Sequence, residues 1–208
     1  MTQQEQYDRI WEVYQKYLGG DLVPREKIYH SGLIVGRFQV LHLGHADMIN
    51  KALAICDRVF IMIGSSQESR TAKNPLTFEE RKEMISAVFE YEVKSERIVI
   101  LPLPDAGLGN NEKWGDYVFA SIPGGYPKPD ITISGRESRR STWFDNQNIA
   151  ELFIEKTVNI SASEMRKFLK NDDETAWKAY SPTAIHSMYN KLKTIVLKTQ
   201  DVTNTDSI

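Results

Sequence analysis

Strand and helix signals alternate along most of this chain, and that alternation predicts an α/β fold built on a parallel sheet. Three observations carry the expectation: apolar runs of strand length, helical patterns between them, and unusual polar residues where the runs end. The first run, Gly32-Leu33-Ile34-Val35-Gly36, ends in glycine as a buried strand often does, and a helical pattern follows from Gly44 to Asp57. Val59 to Gly64 reads as the second strand. Thr77-Phe78-Glu79-Glu80 is a capping box that opens a helix reaching Phe89. Ile98 to Leu101 is the third strand, closed by Pro102 and Pro104, and a helix follows from Glu112 to Ser121. Asp130 to Gly135 and Glu151 to Ile154 supply the fourth and fifth strands. A second capping box, Ser161-Ala162-Ser163-Glu164, opens a helix to Leu169, and a last amphipathic helix spans 183–197. The predicted architecture is a Rossmann-like, doubly wound parallel sheet of about five strands with a C-terminal helical segment.

The flanks read differently. Ile10, Val13, Tyr14, Tyr17 and Leu18 recur at helical spacing before Gly19-Gly20, so residues 1–30 are expected to be an added helical extension. The main α/β unit is expected at 31–198, with a polar, fraying tail at 199–208.

Composition narrows the class. The 208 residues are 41% hydrophobic and 26% charged with a formal net charge of -2, and no basic stripe suggests a nucleic-acid partner. The single cysteine, Cys56, rules out an internal disulfide framework and reads as a buried helix residue. No segment approaches the ~18 apolar residues of a membrane span, and the polar N-terminus lacks a signal-peptide pattern. These features favour the cytoplasm; a homo-oligomer is compatible with them.

Ligands of such sheets bind beyond the C-terminal strand edge, where the strand order reverses. Between the first strand and the first helix stands Gly36-Arg37-Phe38-Gln39-Val40-Leu41-His42-Leu43-Gly44-His45. Two histidines at a helix start, beside exposed backbone N–H groups, form an anion site. The pair is also compatible with a metal, although no third His or Cys lies nearby and zinc usually needs three protein ligands.

Gly-Arg-Phe-Gln followed by His-x-Gly-His resembles the nucleotidyltransferase branch of the superfamily that includes class I aminoacyl-tRNA synthetases. Ile160-Ser161-Ala162-Ser163-Glu164-Met165-Arg166 is similar to that family's second element, Ile-Ser-x-Thr-x-x-Arg. Residues 64–81, with Leu101 to Asp105 and Trp114, resemble the archaeal-type and Nudix-fused nicotinamide-mononucleotide adenylyltransferases. The resemblance covers roughly residues 31–190. It implies adenylyl transfer from ATP, with Mg²⁺ carried on the ATP, to nicotinamide mononucleotide.

It also implies site residues. His42, His45 and Arg166 are the catalytic candidates. Gly36, Arg37, Phe38, Gln39, Gly135, Arg136, Ser161 and Ser163 join them in binding ATP. Arg37, Thr71, Asn74, Asp105 and Trp114 are the acceptor-binding candidates. Trp114 is expected either as a core anchor or as a wall for the pyridinium ring, and Arg81 either as a ligand contact or in a fold-level ion pair. Val40 stands where the family usually has Pro, which is expected to loosen the loop. Related adenylyltransferases acting on phosphopantetheine or FMN, and a non-catalytic nucleotide sensor, are the alternatives.

Overall fold

The computed structural model describes residues 27–107, 112–135, 143–145, 147–155 and 157–205. The sequence-based helix before Gly19 lies outside these residues. Five strands, β1 (Tyr29–Gly36), β2 (Cys56–Gly64), β3 (Ile98–Leu103), β4 (Ile131–Ser134) and β5 (Ala150–Phe153), form one sheet of order β3-β2-β1-β4-β5. Every pairing is parallel, with Leu33 of β1 opposite Phe60 of β2 on one side and Thr132 of β4 on the other. Chain order reverses direction at the β1–β4 boundary, so that boundary is the switch point where a ligand crevice opens.

Both faces of the sheet are covered, which explains why its strands are apolar runs and not alternating ones. On one face Ile34, Val59, Ile61, Ile63, Ile131 and Ile133 pack under α1 (Leu43–Ile55), α2 (Phe78–Val88) and the C-terminal helices. On the other, Leu33, Phe60, Met62 and Leu103 pack with Val118 and Phe144. Val118 belongs to α4 (Glu112–Ala120). A Cβ on Gly115 would stand 1.8 Å from the carbonyl oxygen of Trp143, so only glycine lets α4 approach that segment.

Three differences from the sequence reading concern element ends. β3 continues through Pro102, which pairs with Ile63, to Leu103. It is an edge strand, where a missing N–H on the open side costs no ladder bond. A short α3 (Glu90–Lys94) follows α2, and α6 (Glu174–Tyr180) follows α5 (Ala162–Lys170). The helix expected over 183–197 is a 3₁₀ segment, Thr183–Met188, followed by α7, Tyr189–Thr205, which runs past Thr199. Trp177 of α6 is wholly buried, its ring 5.4 Å from that of Tyr189, and anchors this C-terminal group. Cys56 is buried as expected, but it opens β2 and does not lie in a helix.

Candidate active site

The β1–α1 loop is pinned from several directions. Phe38 takes a positive φ of 52° and is buried. The Gln39 side chain makes two bonds to the Leu76 backbone, donating to its carbonyl and accepting from its N–H, both at 2.9 Å. Val40 and Leu41 are fully buried. The loosening expected at Val40 is thus opposed by burial and by the Gln39 clasp. Gln39 itself, expected at ATP, has its side chain turned into the protein.

Arg81 explains much of the remaining order. It is fully buried and donates to four carbonyls: Arg37 at 3.0 Å, Gly64 at 2.8 Å, Ser65 at 3.2 Å and Thr77 at 3.1 Å. Burial, and then the neighbouring Arg37 charge, push its pKa down to about 10, so it stays protonated near neutral pH. It is a clamp between two loops, and the capping box of Thr77 and Glu80 forms the floor beneath it.

His42 is the N-cap of α1, its Nδ1 accepting from the backbone N–H of His45 at 3.4 Å. The two imidazoles stack at 3.7 Å between centroids and 21° between planes, and Phe38 lies 4.8 Å from His45. A Cβ on Gly44 would come within 3.1 Å of the His42 ring, which accounts for the glycine between the histidines. Burial first, and the His42 charge second, hold His45 well below the ordinary histidine value of 6.5. A neutral His45 is an N–H donor to anions, and its buried Nδ1 has no hydrogen-bond partner among the described residues.

From the other side comes α5, with Ser161 as its N-cap. The Ser161 hydroxyl accepts from the Glu164 N–H at 3.2 Å and donates to the Glu164 carboxylate at 2.6 Å. One turn on, Arg166 donates to the Gln39 carbonyl and, at 3.1 Å, to the Ser163 hydroxyl. Burial and the nearby Arg37 charge lower its pKa. Arg37 therefore stands close enough to Arg81 and to Arg166 to repel each, an arrangement suited to an anion.

A cavity of about 310 Å³ lies between these helix starts. Gly36, Phe38, His42, His45, Gly135 and Ser161 line it, as do apolar Met48, Ile154, Val158 and Ile160. The sequence reading missed Ser134, whose buried hydroxyl has no hydrogen-bond partner among the described residues and which also lines the cavity; its place at the end of β4 was the available signal. Arg136 lies outside the described residues. Arg37, Ser163 and Arg166 are not among the residues that line the cavity.

The acceptor candidates are spread over several elements. Arg37 in the β1–α1 loop is bonded to Asn74 in the loop after β2, Asp105 follows β3, and Trp114 lies in α4. Asn74 is fully buried, while Thr71 and Asp105 are exposed. Asp105 accepts from Gln67 at 3.3 Å. Trp114 is half-buried against Trp143, their rings 4.1 Å apart, and packs on the second core. Trp143 is the second residue the sequence reading missed, because nothing at its own position marks it as Trp114's neighbour. Among the described residues no three His, Cys, Asp or Glu side chains cluster as metal ligands, and no helix is long and apolar enough to cross a membrane.

A parallel sheet with a histidine-bearing helix start (α1) and a serine-capped start followed by Arg166 (α5) at its switch point fits a nucleotidyltransferase-type centre. The chain belongs to the Cytidylyltransferase-like family, whose profile matches residues 33–187, and within it to the nicotinamide-nucleotide adenylyltransferases. The nicotinamide-nucleotide adenylyltransferase of Thermococcus kodakarensis is 31% identical over 188 residues, covering 85% of this chain and 90% of that one. That of Thermococcus sibiricus is 32% identical, covering 78% and 84%. Among solved structures, the Francisella tularensis bifunctional NMN adenylyltransferase/ADP ribose pyrophosphatase shares the fold with a TM-score of 0.63 at 24% identity. The likeness covers 83% of this chain and 52% of that one, so this chain spans about half of the bifunctional protein. A second crystal structure of a Francisella tularensis bifunctional NMN adenylyltransferase/ADP ribose pyrophosphatase is complexed with AMP and a manganese ion.

Proposed function

We propose that the protein transfers the adenylyl group of ATP to nicotinamide mononucleotide, giving NAD and pyrophosphate. The observation that carries this reading is the stacked His42–His45 pair at the start of α1, facing the cavity at the β1–β4 switch point. The relatives' shared activity supports the choice of acceptor.

The acceptor's 5′-phosphate has a second pKa of about 6 and is ionised near neutral pH, so no general base is needed. One of its oxygens attacks the α-phosphorus in line. As that P–O bond forms, the bond from the α-phosphorus to the bridging oxygen breaks, and the electron pair leaves with pyrophosphate. In this reading neutral His45 donates to the transferring group, His42 and the α1 N-terminus hold the triphosphate, and Arg166 neutralises the leaving pyrophosphate. Ser161 and Ser163 line its path. Gly36, Phe38, Ser134 and Gly135 bound the rest of the nucleotide, and Arg37 grips phosphate. The donors here are imidazoles and guanidinium groups, not a carboxylate cluster, which suits a Mg²⁺ held by the phosphates and water; that ion would offset charge on the triphosphate. A cytoplasmic location belongs to the same proposal.

The test is an acceptor panel. ATP and Mg²⁺ are supplied with nicotinamide or nicotinate mononucleotide, phosphopantetheine or FMN, and pyrophosphate release is followed. NAD formation is expected. Release only with another acceptor would overturn the acceptor, and tight ATP binding without product would mark a sensor. With nicotinamide mononucleotide, Trp114→Ala should raise that KM about tenfold, the loss of a cation–π contact of up to ~2 kcal/mol. The KM for ATP should stay unchanged. An equal rise in both would return Trp114 to the core.

A further inference from the structure

We propose that Asn74 and Glu68 are positioning residues that aim the Arg37 guanidinium at substrate phosphate, without touching substrate themselves. The inference rests on the adenylyl-transfer reading for what Arg37 grips. Its own basis is a chain of bonds: Arg37 Nη1 donates to Asn74 Oδ1 at 3.4 Å, and Asn74 Nδ2 donates to the Glu68 carboxylate at 2.5 Å. Chemistry fixes the orientation of the amide between them. A guanidinium can only donate and a carboxylate can only accept, so the oxygen must face Arg37 and the nitrogen Glu68.

Asn74 presents no surface to a ligand. Its backbone N–H donates to the Thr71 hydroxyl at 3.0 Å, its carbonyl accepts from the Thr71 N–H at 3.2 Å, and the residue is 0% exposed. The role of acceptor contact expected from the sequence resemblance is thus filled by an internal one. The loop bearing it is firmly held: Arg70 makes a two-pronged pair with Glu80, at 2.8 and 2.6 Å, and donates to the Pro75 carbonyl at 2.9 Å.

Arg37 needs such a hold. It is exposed, and it lies near two other cations, Arg81 and Arg166, that repel it. A neutral amide backed by a carboxylate gives it a fixed acceptor without a direct ion pair. A direct pair would compete with phosphate for the guanidinium.

The experiment is a cycle of Glu68→Ala, Arg37→Ala and the double variant, read as kcat/KM for NAD formation, with thermal midpoints as a folding check. Glu68 is exposed, so the Ala variant should keep a midpoint close to wild type. Glu68→Ala should lower kcat/KM roughly tenfold, since misplacing one positioning group can cost up to ~10² in rate. In the Arg37→Ala background the same change should matter less than about twofold, because a residue acting through Arg37 has nothing left to act on. Glu68→Gln, which keeps an oxygen for Asn74, should recover most of the activity. Multiplicative losses, an undiminished Glu68→Ala enzyme, or a Gln variant as poor as Ala would each overturn the proposal. If wild type forms no NAD, the reaction assignment falls instead, and the affinities of the same proteins for inorganic pyrophosphate decide the relay on their own.

Discussion

His45 illustrates how placement sets the chemistry of a residue. Stacked on His42 and covered by Phe38, it is held neutral because burial first, and the electrostatic influence of His42 second, penalise its charge. If it donates to charge that grows at the transition state, His45→Ala should lower kcat about 10²–10³-fold. ATP affinity should change much less, and a variant retaining most of wild-type kcat would refute the role. The same depressed pKa has a stability consequence. Between the folded value and 6.5 the unfolded chain binds a proton that the folded chain does not. Stability is therefore fully present above pH 6.5 and is lost as pH falls toward the folded value. His45→Gln should flatten that part of a urea-midpoint profile against pH, and an unchanged profile would contradict the burial account. Arg166 calls for a different substitution. Lys keeps the charge but loses the planar fork that spans the Gln39 carbonyl and the Ser163 hydroxyl. Arg166→Lys should turn over slowly with a thermal midpoint close to wild type; an equally active or largely unfolded variant would point to a structural ion pair.

At the scale of elements, the sequence was most legible where local chemistry decides. The capping box at Thr77, the Ser161 N-cap, the glycine-ended β1 and the His-x-Gly-His start of α1 could all be read directly, because each signal lies within a few residues of its effect. At Ser161 the reciprocal half of the expected box is replaced by a bond from its hydroxyl to the Glu164 carboxylate. It was least legible where a polar side chain finds a distant backbone. Gln39 looks like a ligand contact in sequence, and Arg81 like either a ligand contact or half of an ion pair, yet both bond backbone, with partners 37 and up to 44 positions away. The 3₁₀ start at Thr183 was hidden for a related reason: its amphipathic spacing matches a helix, but Ile185 is buried in a tighter turn. Arg81 gives the sharpest element-scale test. Arg81→Leu would leave four carbonyls without their donor, and a loss of about 3–5 kcal/mol is expected, as for breaking a buried charged network. Urea unfolding measures it. A loss below ~1 kcal/mol would mean that water replaces the guanidinium and the loops are held by Gln39 alone.

For the whole molecule, the consequence lies in how far apart in sequence the cavity's walls are. They run from Val35 to Ala162, drawn from β1 and α1 on one side of the switch point and from β4 and α5 on the other. A nucleotide bound there ties the two halves of the sheet together and binds only the folded chain. ATP alone should therefore raise the thermal midpoint, with a stabilisation of about 2.7 kcal/mol at a hundred times its Kd. Nicotinamide mononucleotide alone should give a separate, smaller shift, because Thr71, Asn74 and Asp105 follow β2 and β3 and leave this boundary unbridged. The two ligand shifts also separate ground-state binding from catalysis. His45→Ala should keep most of the ATP shift while losing turnover, whereas a substitution that blocks the cavity, such as Gly135→Trp, should abolish the shift. If ATP leaves the midpoint unmoved at concentrations that support NAD synthesis, the nucleotide does not bridge the two halves, and the donor site must be sought outside this cavity.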